Sequence, residues 1–504
     1  MTKRWFNYRP ICLTFLFLIL GTIFAFYLTD YKVATIIIST VVLLLILAFA
    51  IFKNKLRYFL IPFLAFIVGA CCYYMAAHKF AQSLDAAPKF IEARIYAIRD
   101  EENGQIKVNV ENCLFDNIKT NDNISLTIYD NSGLFENIEV GNIIKFSPTA
   151  FYHSDLFYHD TPNSKMFSEN LKYTAFTNID KVEKVTENKT LAEKVKSKIK
   201  TNLLKGLTNE NTELAYSSLF GDKELLDESQ YESFQLSGVA HLLAVSGLHV
   251  GIISAVLYKL LDWCRVRRWP RFVLVAIILL FYAYICNFSV SVVRASIMAL
   301  VLLLSDIFFR EYDTLNSLSI AGIVIFALNP LCAFDAGFLM SFSCVLGISM
   351  LMSPLKELLI KTKMNKKLAE ALAISLSTNI TLMFIMAYFF GRLNLISIVA
   401  NLIIIPMFTL AFTVVFICAI SSLILPFITV ILYPINYLFS VITILSTVFA
   451  NVPFANFAVG ELPFVTILVY VMLLLVMSRF CVAKNKEKVF ASLPLFALLV
   501  VCLV

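Results

Sequence analysis

Charge is what this sequence has least of. Only 15% of its 504 residues are Asp, Glu, Lys or Arg, while 59% are hydrophobic. A soluble chain with that balance would leave more apolar surface in water than its charges could offset, which excludes an ordinary soluble domain. Histidine is also scarce: His78, His153, His159, His241 and His249 are the whole set. They make neither an HExxH pair nor an HxHxDH cluster, so no metallo-hydrolase site is indicated. A Walker A loop and a G-x-S-x-G elbow are missing too, which leaves no local signature for nucleotide hydrolysis or a serine nucleophile. The eleven cysteines are scattered, mostly through apolar runs, with no CxxC spacing. Cys71 and Cys72 read as packing residues. Cys113 alone falls in the large polar region, which therefore has no disulfide of its own. No metal ion, cofactor or catalytic residue is expected.

Long apolar runs are what the chain has in abundance. About 20 apolar residues cross a bilayer core. The first run, "ICLTFLFLILGTIFAFYL", is long, has no clear small-residue cleavage site and is followed at once by a second run. It reads as an uncleaved span rather than a signal peptide. Residues 1–78 read as N-terminal transmembrane helices, and residues 237–504 as a second transmembrane domain. Its spans are expected to begin near Gly238, Phe272, Val290, Thr314, Phe334, Ala371, Ile398, Thr429, Phe464 and Val489. Lys and Arg collect in cytoplasmic loops. Lys3, Arg4 and Arg9, then Lys53, Lys55 and Arg57, place the N-terminus and the second loop inside. "RVRRWPR", "KELLIKTKMNKKLAE" and "RFCVAKNKEK" fall inside on the same count.

Between the two apolar regions, residues 79–189 change period. "FIEARIYAIRD", "GQIKVNVENCLF", "NISLTIYD", "GNIIKFSPTAFY" and "KYTAFTNIDKVEKV" alternate apolar and polar residues between Asn, Asp and Gly turn signals. Five or six short strands in such a length fit a small OB-like barrel or a sandwich. The region holds 12 basic and 17 acidic residues, the wrong sign for bulk attraction to phosphate. Phe135, Phe146, Phe151, Tyr152, Phe157 and Tyr158 are available for stacking on single-stranded bases or for the core. Residues 190–236 read as an amphipathic helical connector, with Leu191, Val195, Ile199 and Leu203 at steps of four and a Lys-rich opposite face. That face suits a membrane surface or an ordinary connecting helix. The fold class is thus a polytopic α-helical membrane protein with a small all-β domain.

The polar residues inside the apolar runs are the candidate site. In "HLLAVSGLHVGII", Gly247 and Gly251 are four apart and offer a small-residue face. Ser246 and His249 share one helical face; Ser237 and His241 share another. The set is either a seam facing a path or a group of interhelical hydrogen bonds. Arg294, in "SVSVVRASIMALVLLL", is costly at the bilayer centre, about 2.5–3.5 kcal/mol. It either lines a cavity or snorkels to the interface. Asp335, in "NPLCAFDAGFLMSFSCVLGI", either caps the helix that follows or lines a path. Asn394, Asn401 and Pro406 interrupt "GRLNLISIVANLIIIPMF", a pattern of broken or kinked spans. Ser246 and His249 can also be drawn as a hydrolytic dyad, though without a carboxylate to orient it.

Taken together, "SSLFGDKELLDESQYESFQLSGVAHLLAVSGLHVGII", "SVVRASIMALVLLL", "LNSLSIAGIVIFALNPLCAFDAGFLMSFSCVLGISML" and "FFGRLNLISIVANLIIIPMF" resemble, in order and spacing, the ComEC competence family of bacterial DNA uptake. The polar region resembles that family's OB-like domain, most clearly at "VGNIIKFSPTA". The resemblance implies a channel that passes one DNA strand into the cytoplasm through a bacterial cell (inner) membrane. The Lys and Arg count that sets the N-terminus inside sends the chain out after the third span, near His78, and so puts the OB-like domain outside. Carried over residue by residue, the path would be lined or supported by His241, Ser246, Gly247, His249, Gly251, Arg294, Asp335 and Asn401, none of them catalytic. The partners it implies are single-stranded DNA, membrane lipids, and a separate cytoplasmic motor, DNA receptor and nuclease. This sequence resembles a form lacking the C-terminal metallo-β-lactamase-like domain, so either a separate nuclease degrades the second strand or this member does not need that step. "HSDLFYHDTPNSKMFSENL" departs from the family's usual stretch after the barrel strands. Two other readings stay open: a transporter or exporter of a different substrate on the same scaffold, and an intramembrane Ser/His hydrolase.

Overall fold

The computed structural model describes residues 9–27, 56–81, most of 87–222, 226–452 and 456–459, with scattered positions from 466 to 492. The second of the N-terminal spans, the spans expected near Phe464 and Val489, and Phe135, His159 and the charges at Lys3, Arg4, Lys53 and Lys55 lie outside the described residues. The chain divides into two units. One is Leu13–Lys198 with Gly322–Asp335; the other is Met1–Cys12, Ile199–Ala321 and Ala336–Val504.

The first unit contains helices α1 (Pro10–Tyr27) and α2 (Leu56–Ala81). They cross at two glycines. A Cβ on Gly21 would collide with the Phe66 backbone, and one on Gly69 with the Leu18 backbone. Small residues let two apolar helices approach this closely and gain dispersion contacts. Thr22 secures the crossing, donating its hydroxyl to Leu18 O at 3.1 Å and Gly69 O at 3.3 Å.

Ten strands follow: β1 (Ile91–Glu102), β2 (Gln105–Phe115), β3 (Ile118–Lys119), β4 (Asn123–Tyr129), β5 (Asn142–Phe146), β6 (Ala150–His153), β7 (Phe157–Tyr158), β8 (Thr161–Pro162), β9 (Leu171–Asn178) and β10 (Val182–Glu187). The main sheet runs β10-β5-β1-β2-β4-β9-β6, with β3 on β2, and β7 and β8 form a separate pair. All its pairings are antiparallel except β4 with β9. The strands form because every second side chain is apolar. Ile106, Val108 and Val110 of β2, and Ile124, Leu126 and Ile128 of β4, point into one core, each fully buried. Each such side chain contributes about 1.5–3 kcal/mol.

On β2 the inward parity then changes from even to odd, because Cys113 and Phe115 join the same core. The cause is a bulge. Arg94 pairs with Glu111 and Glu92 with Leu114, so β2 spends one residue more than β1, and Asn112 takes φ +54° to absorb it. Of the aromatic residues considered for base stacking, Phe146 is in the core and Phe151 packs on Tyr173 at 4.9 Å between ring centroids. Tyr152 is exposed and meets Phe176 edge-on.

Helix α3 (Leu191–Leu203) opens with a capping box. Glu193 N–H donates to Thr190 Oγ1 at 3.3 Å, and Thr190 N–H donates to Glu193 Oε2 at 2.7 Å. The same Glu193 carboxylate binds Arg94, which also donates to Glu111 at 2.5 Å and to Asn188 O at 2.9 Å.

The second unit is helical. Its elements are α4 (Asn209–Phe220), α5 (Glu228–Leu236), α6 (Gly247–Trp263), α7 (Arg268–Ile285), α8 (Val290–Ile307), α9 (Thr314–Leu328, which runs into the first unit), α10 (Ala336–Lys361), α11 (Lys366–Phe390), α12 (Ser397–Ser422) and α13 (Tyr433–Ala450). A strand pair, β11 (Arg392–Asn394) with β12 (Asn456–Ala458), completes it. Among the described residues, seven helical stretches are long and apolar enough to cross a membrane. They are Ile61–Phe80, Arg268–Ile285, Val290–Ile307, Ala336–Lys361, Lys366–Phe390, Ser397–Ser422 and Pro426–Ala450. Their surfaces agree with that reading: α7 exposes Val273, Leu274, Ile277, Leu280, Phe281 and Tyr284 along one face. A soluble helix would bury such a stripe; a lipid-facing one need not. These are the features of a multi-pass membrane protein. Pro406 does not break its span: α12 is one continuous helix from Ser397 to Ser422.

Candidate functional site

The ten residues between α5 and α6 decide the geometry. The last turn of α5 closes with Val239 N–H donating to Phe234 O and Gly238 N–H to Gln235 O. That is the bond pair of a Schellman cap. Gly238 holds φ +77°, a left-handed conformation that a Cβ disfavours. The span expected to begin near Gly238 is therefore corrected: this glycine ends a helix, and the next begins at Gly247. His241 lies exposed on the single turn Ala240–Leu242, and it does not share a helical face with Ser237.

Asn394 explains why the chain stops there. Its Nδ2 donates to Leu236 O at 2.5 Å, a carbonyl that the end of α5 leaves open, and shares Gln235 O at 3.3 Å with Gly238 N–H. Its Oδ1 accepts from Ser397 N–H at 3.2 Å, starting α12. Ser397 in turn donates its hydroxyl to Asn379 at 2.5 Å. One asparagine thus finishes one helix and opens another. Gly238 must be glycine for this too, since a Cβ there would collide with Ser397.

Ser246 is the N-cap of α6. Its hydroxyl accepts from Leu248 N–H at 3.2 Å and also from His249 N–H, while its own N–H donates to His249 Nδ1 at 3.0 Å. This is a capping box with His where Glu or Gln is usual. It corrects two readings. Ser246 lies before the helix rather than on its face. The imidazole bonds the Ser246 backbone N–H, not the hydroxyl, so the pair is not a nucleophile with its base.

His249 is fully buried, stacked on Phe412 at 4.2 Å and tilted against Phe408 at 5.7 Å. Phe408, Phe412 and Phe416 stack in turn at 6.2 Å steps along α12.

Arg294 sits one turn into α8 and is 6% exposed. Its Nη1 donates to Ser341 O on α10, beside a 3.0 Å hydrogen bond between Ser291 and Ser341. Its guanidinium lies against Gly247, where a Cβ would collide with Nη2. Its Nε has no partner among the described residues. Arg271, buried to the same degree, meets Asp262 at 2.7 Å. Arg9, Arg94 and Arg268 also meet carboxylates. Among the described residues Arg294 meets none.

The structure therefore brings Ser246, Gly247, His249 and Arg294 together, with His241 on the turn before them. Gly251, one turn along α6, is exposed, and an added Cβ would meet nothing within 4 Å. Asn401 stands apart on α12 with a buried Oδ1 that has no partner among the described residues. Asp335 belongs to the other unit, in extended backbone immediately before α10. Among the described residues, no group of three His, Cys, Asp or Glu is placed to hold a metal ion. Phe408 and Phe412 were missed in the sequence, although their spacing of four with Phe416 was there to read.

Residues 218–482, just over half of the chain, match the family model described as Competence protein. The chain belongs to the Competence protein family. Three relatives match part of the chain. ComE operon protein 3 of Bacillus subtilis (strain 168) is 27% identical over 203 residues, which is 40% of this chain and 25% of that protein. An uncharacterized protein of Aquifex aeolicus (strain VF5) is 34% identical over 163 residues, 31% of this chain and 36% of its own. Recombination protein 2 of Haemophilus influenzae (strain ATCC 51907 / DSM 11121 / KW20 / Rd) is 29% identical over 134 residues, 25% of this chain and 17% of its own. The match thus spans at most 36% of any of these relatives. No solved structure matches this Competence family chain.

Proposed function

We propose that this chain is a membrane channel that passes single-stranded DNA into the bacterial cytoplasm during natural transformation. The observation that carries the reading is one of position. The Competence family match takes in the helix break before α6 and the buried Arg294 within a single apolar helical unit. Ionisable side chains inside membrane segments mark pathways far more often than they serve packing. A polyanion is the cargo that a buried cation without a counter-charge favours.

In this reading His241, Ser246, Gly247, His249, Gly251, Arg294, Asp335 and Asn401 line or support the path. The sheet unit is the OB-like domain outside the membrane, and the N-terminus lies inside. The driving force comes from a partner or a gradient, and a DNA receptor acts as a separate partner. The acidic balance of residues 79–189 favours one rival, a transporter of another substrate on the same scaffold. The hydrolase reading loses its support, because Ser246 and His249 are engaged as a helix cap.

The test is uptake of marked DNA by cells lacking the gene, complemented with wild type, His249→Ala or Arg294→Ala at equal protein levels. The expected result is loss of transformation on deletion, rescue by wild type and failure of both variants. Intact transformation in a competent deletion strain would overturn the assignment.

A further inference from the structure

We propose that the N-terminal turn of α6 and the Arg294 guanidinium together seat one phosphodiester group. The proposal rests on the nucleic-acid reading above and names the part of the strand that is held.

The argument begins with cost. Burying a charge without a counter-charge is among the most expensive things a fold does. The bond from Arg294 Nη1 to Ser341 O satisfies one donor but leaves the charge in place. The nearest large dipole makes matters worse. Gly247 is the first residue of a 17-residue helix, and a helix N-terminus carries roughly half a positive charge. The guanidinium packs on that end. Two positive groups in contact repel, unless an anion beside them bridges both and turns both into attractions.

The first turn of α6 has donors arranged for such an anion. Ser246 Oγ takes up Leu248 N–H and His249 N–H, and Val250 N–H points to Ser246 O at 3.4 Å. Gly247 N–H has no acceptor among the described residues, and the Cβ side of the same residue lies against Arg294 Nη2. Arg294 Nε is a second donor without a partner among the described residues, in a side chain that is 6% exposed. A guanidinium fork together with a helix N-terminal N–H is a phosphate-binding combination. Glycine at 247 is the condition for it, since any side chain would push the guanidinium away. Gly251 keeps the same helix face open one turn further on.

Phospholipid headgroups and inorganic phosphate carry the same chemistry, so the experiment separates the sources. The full chain in nanodiscs of zwitterionic lipid is titrated with a fluorescent single-stranded oligodeoxynucleotide over a range of salt. Wild type is compared with Arg294→Gln, Arg294→Lys and Gly247→Ala. A methylphosphonate oligonucleotide, whose backbone is neutral, serves as a probe that needs no variant. Phosphatidylglycerol nanodiscs and inorganic phosphate are added as competitors.

Arg294→Gln is expected to weaken binding about tenfold and to lower the slope of log K against log salt by about 0.7, one released counterion. Arg294→Lys should keep the slope with a smaller loss, because a point charge replaces a fork. The methylphosphonate probe should bind wild type weakly and be indifferent to Arg294→Gln. Suppose wild type binds the oligonucleotide and Arg294→Gln leaves both affinity and slope unchanged. Then the seat is refuted and the translocation reading survives. If wild type ignores the oligonucleotide while phosphatidylglycerol binds in an Arg294-dependent way, the occupant is a lipid headgroup and the proposal is overturned. Binding to none of the probes removes the seat and the DNA reading together.

Discussion

Arg94 in the sheet unit and Arg294 in the helical unit are equally buried, each 6% exposed. Their surroundings are opposite. Arg94 has Glu193, Glu111 and the Asn188 carbonyl on three sides. Burial works to lower its pKa, but the two carboxylates outweigh that and raise it above the ordinary arginine value. Arg294 has one carbonyl and the positive end of a helix. The first arginine completes a structure; it joins β1 and β2 to the capping box of α3. The second leaves an electrostatic demand unmet, and that makes it the better functional candidate. Burial alone does not separate the two roles. What surrounds the charge does.

The largest expected effect tests the structural member of the pair. Arg94→Ala removes a buried cation and leaves Glu193 and Glu111, 18% and 34% exposed, without it, and should cost about 2–3 kcal/mol of stability. The measurement is the unfolding midpoint of the full chain, or protease cleavage within residues 91–187. A change under 1 kcal/mol would remove Arg94 from its role.

Next comes Gly247→Ala, expected to destabilise the helical unit by about 1–3 kcal/mol through overpacking against Arg294. The double variant with Arg294→Met should recover most of that loss. Additive effects would mean that the two residues do not touch. Ser246→Ala should cost about 1 kcal/mol through the lost N-cap, read as earlier exchange of the first-turn amides of α6.

Arg294→Met alone sharpens the comparison most, because its expected effect on stability is close to zero or favourable while transformation falls at least tenfold. If it destabilises as much as Arg94→Ala, both arginines are structural. The smallest effect belongs to Cys113. Burial, with Asp122 and Glu111 nearby, pushes its thiol up to about 12. The folded state thus favours the neutral thiol. Its contribution is fully present below the unfolded value near 9 and is lost as pH rises toward 12. Alkylation of Cys113 in folded protein should be negligible at pH 8, and rapid labelling there would contradict the packing.

The sequence was read well where one period governed a long stretch. The alternation of β2 and β4 and the apolar lengths of α7, α8, α10 and α11 lie on its surface. It was read poorly where a few residues end one element and start another. Gly238 looked like the entrance to a span because apolar residues follow it. Its positive φ and the reach of Asn394 from far along the chain are tertiary facts. Pro406 looked like a break, yet the helix accommodates it. Ser246 and His249 were picked out as polar residues, but their spacing of three was taken for a shared face. A Ser followed three residues later by a hydrogen-bonding side chain is also a helix start. Arg294 was found from its charge alone; that it meets no carboxylate among the described residues was not legible, because a partner or its absence is a property of the packed state.

The capping box carries one more consequence, in the language of tautomers. Because His249 Nδ1 accepts the Ser246 N–H, that nitrogen holds a lone pair and the neutral ring carries its proton on Nε2. Nε2 is buried with no partner among the described residues. The start of α6 and the position of a single proton are therefore one variable. When the first turn is wound, His249 holds its proton on Nε2; when the turn opens, the ring is free to exchange its proton to the other nitrogen. A ¹⁵N spectrum of one imidazole would report whether the helix beside the buried arginine is closed or open.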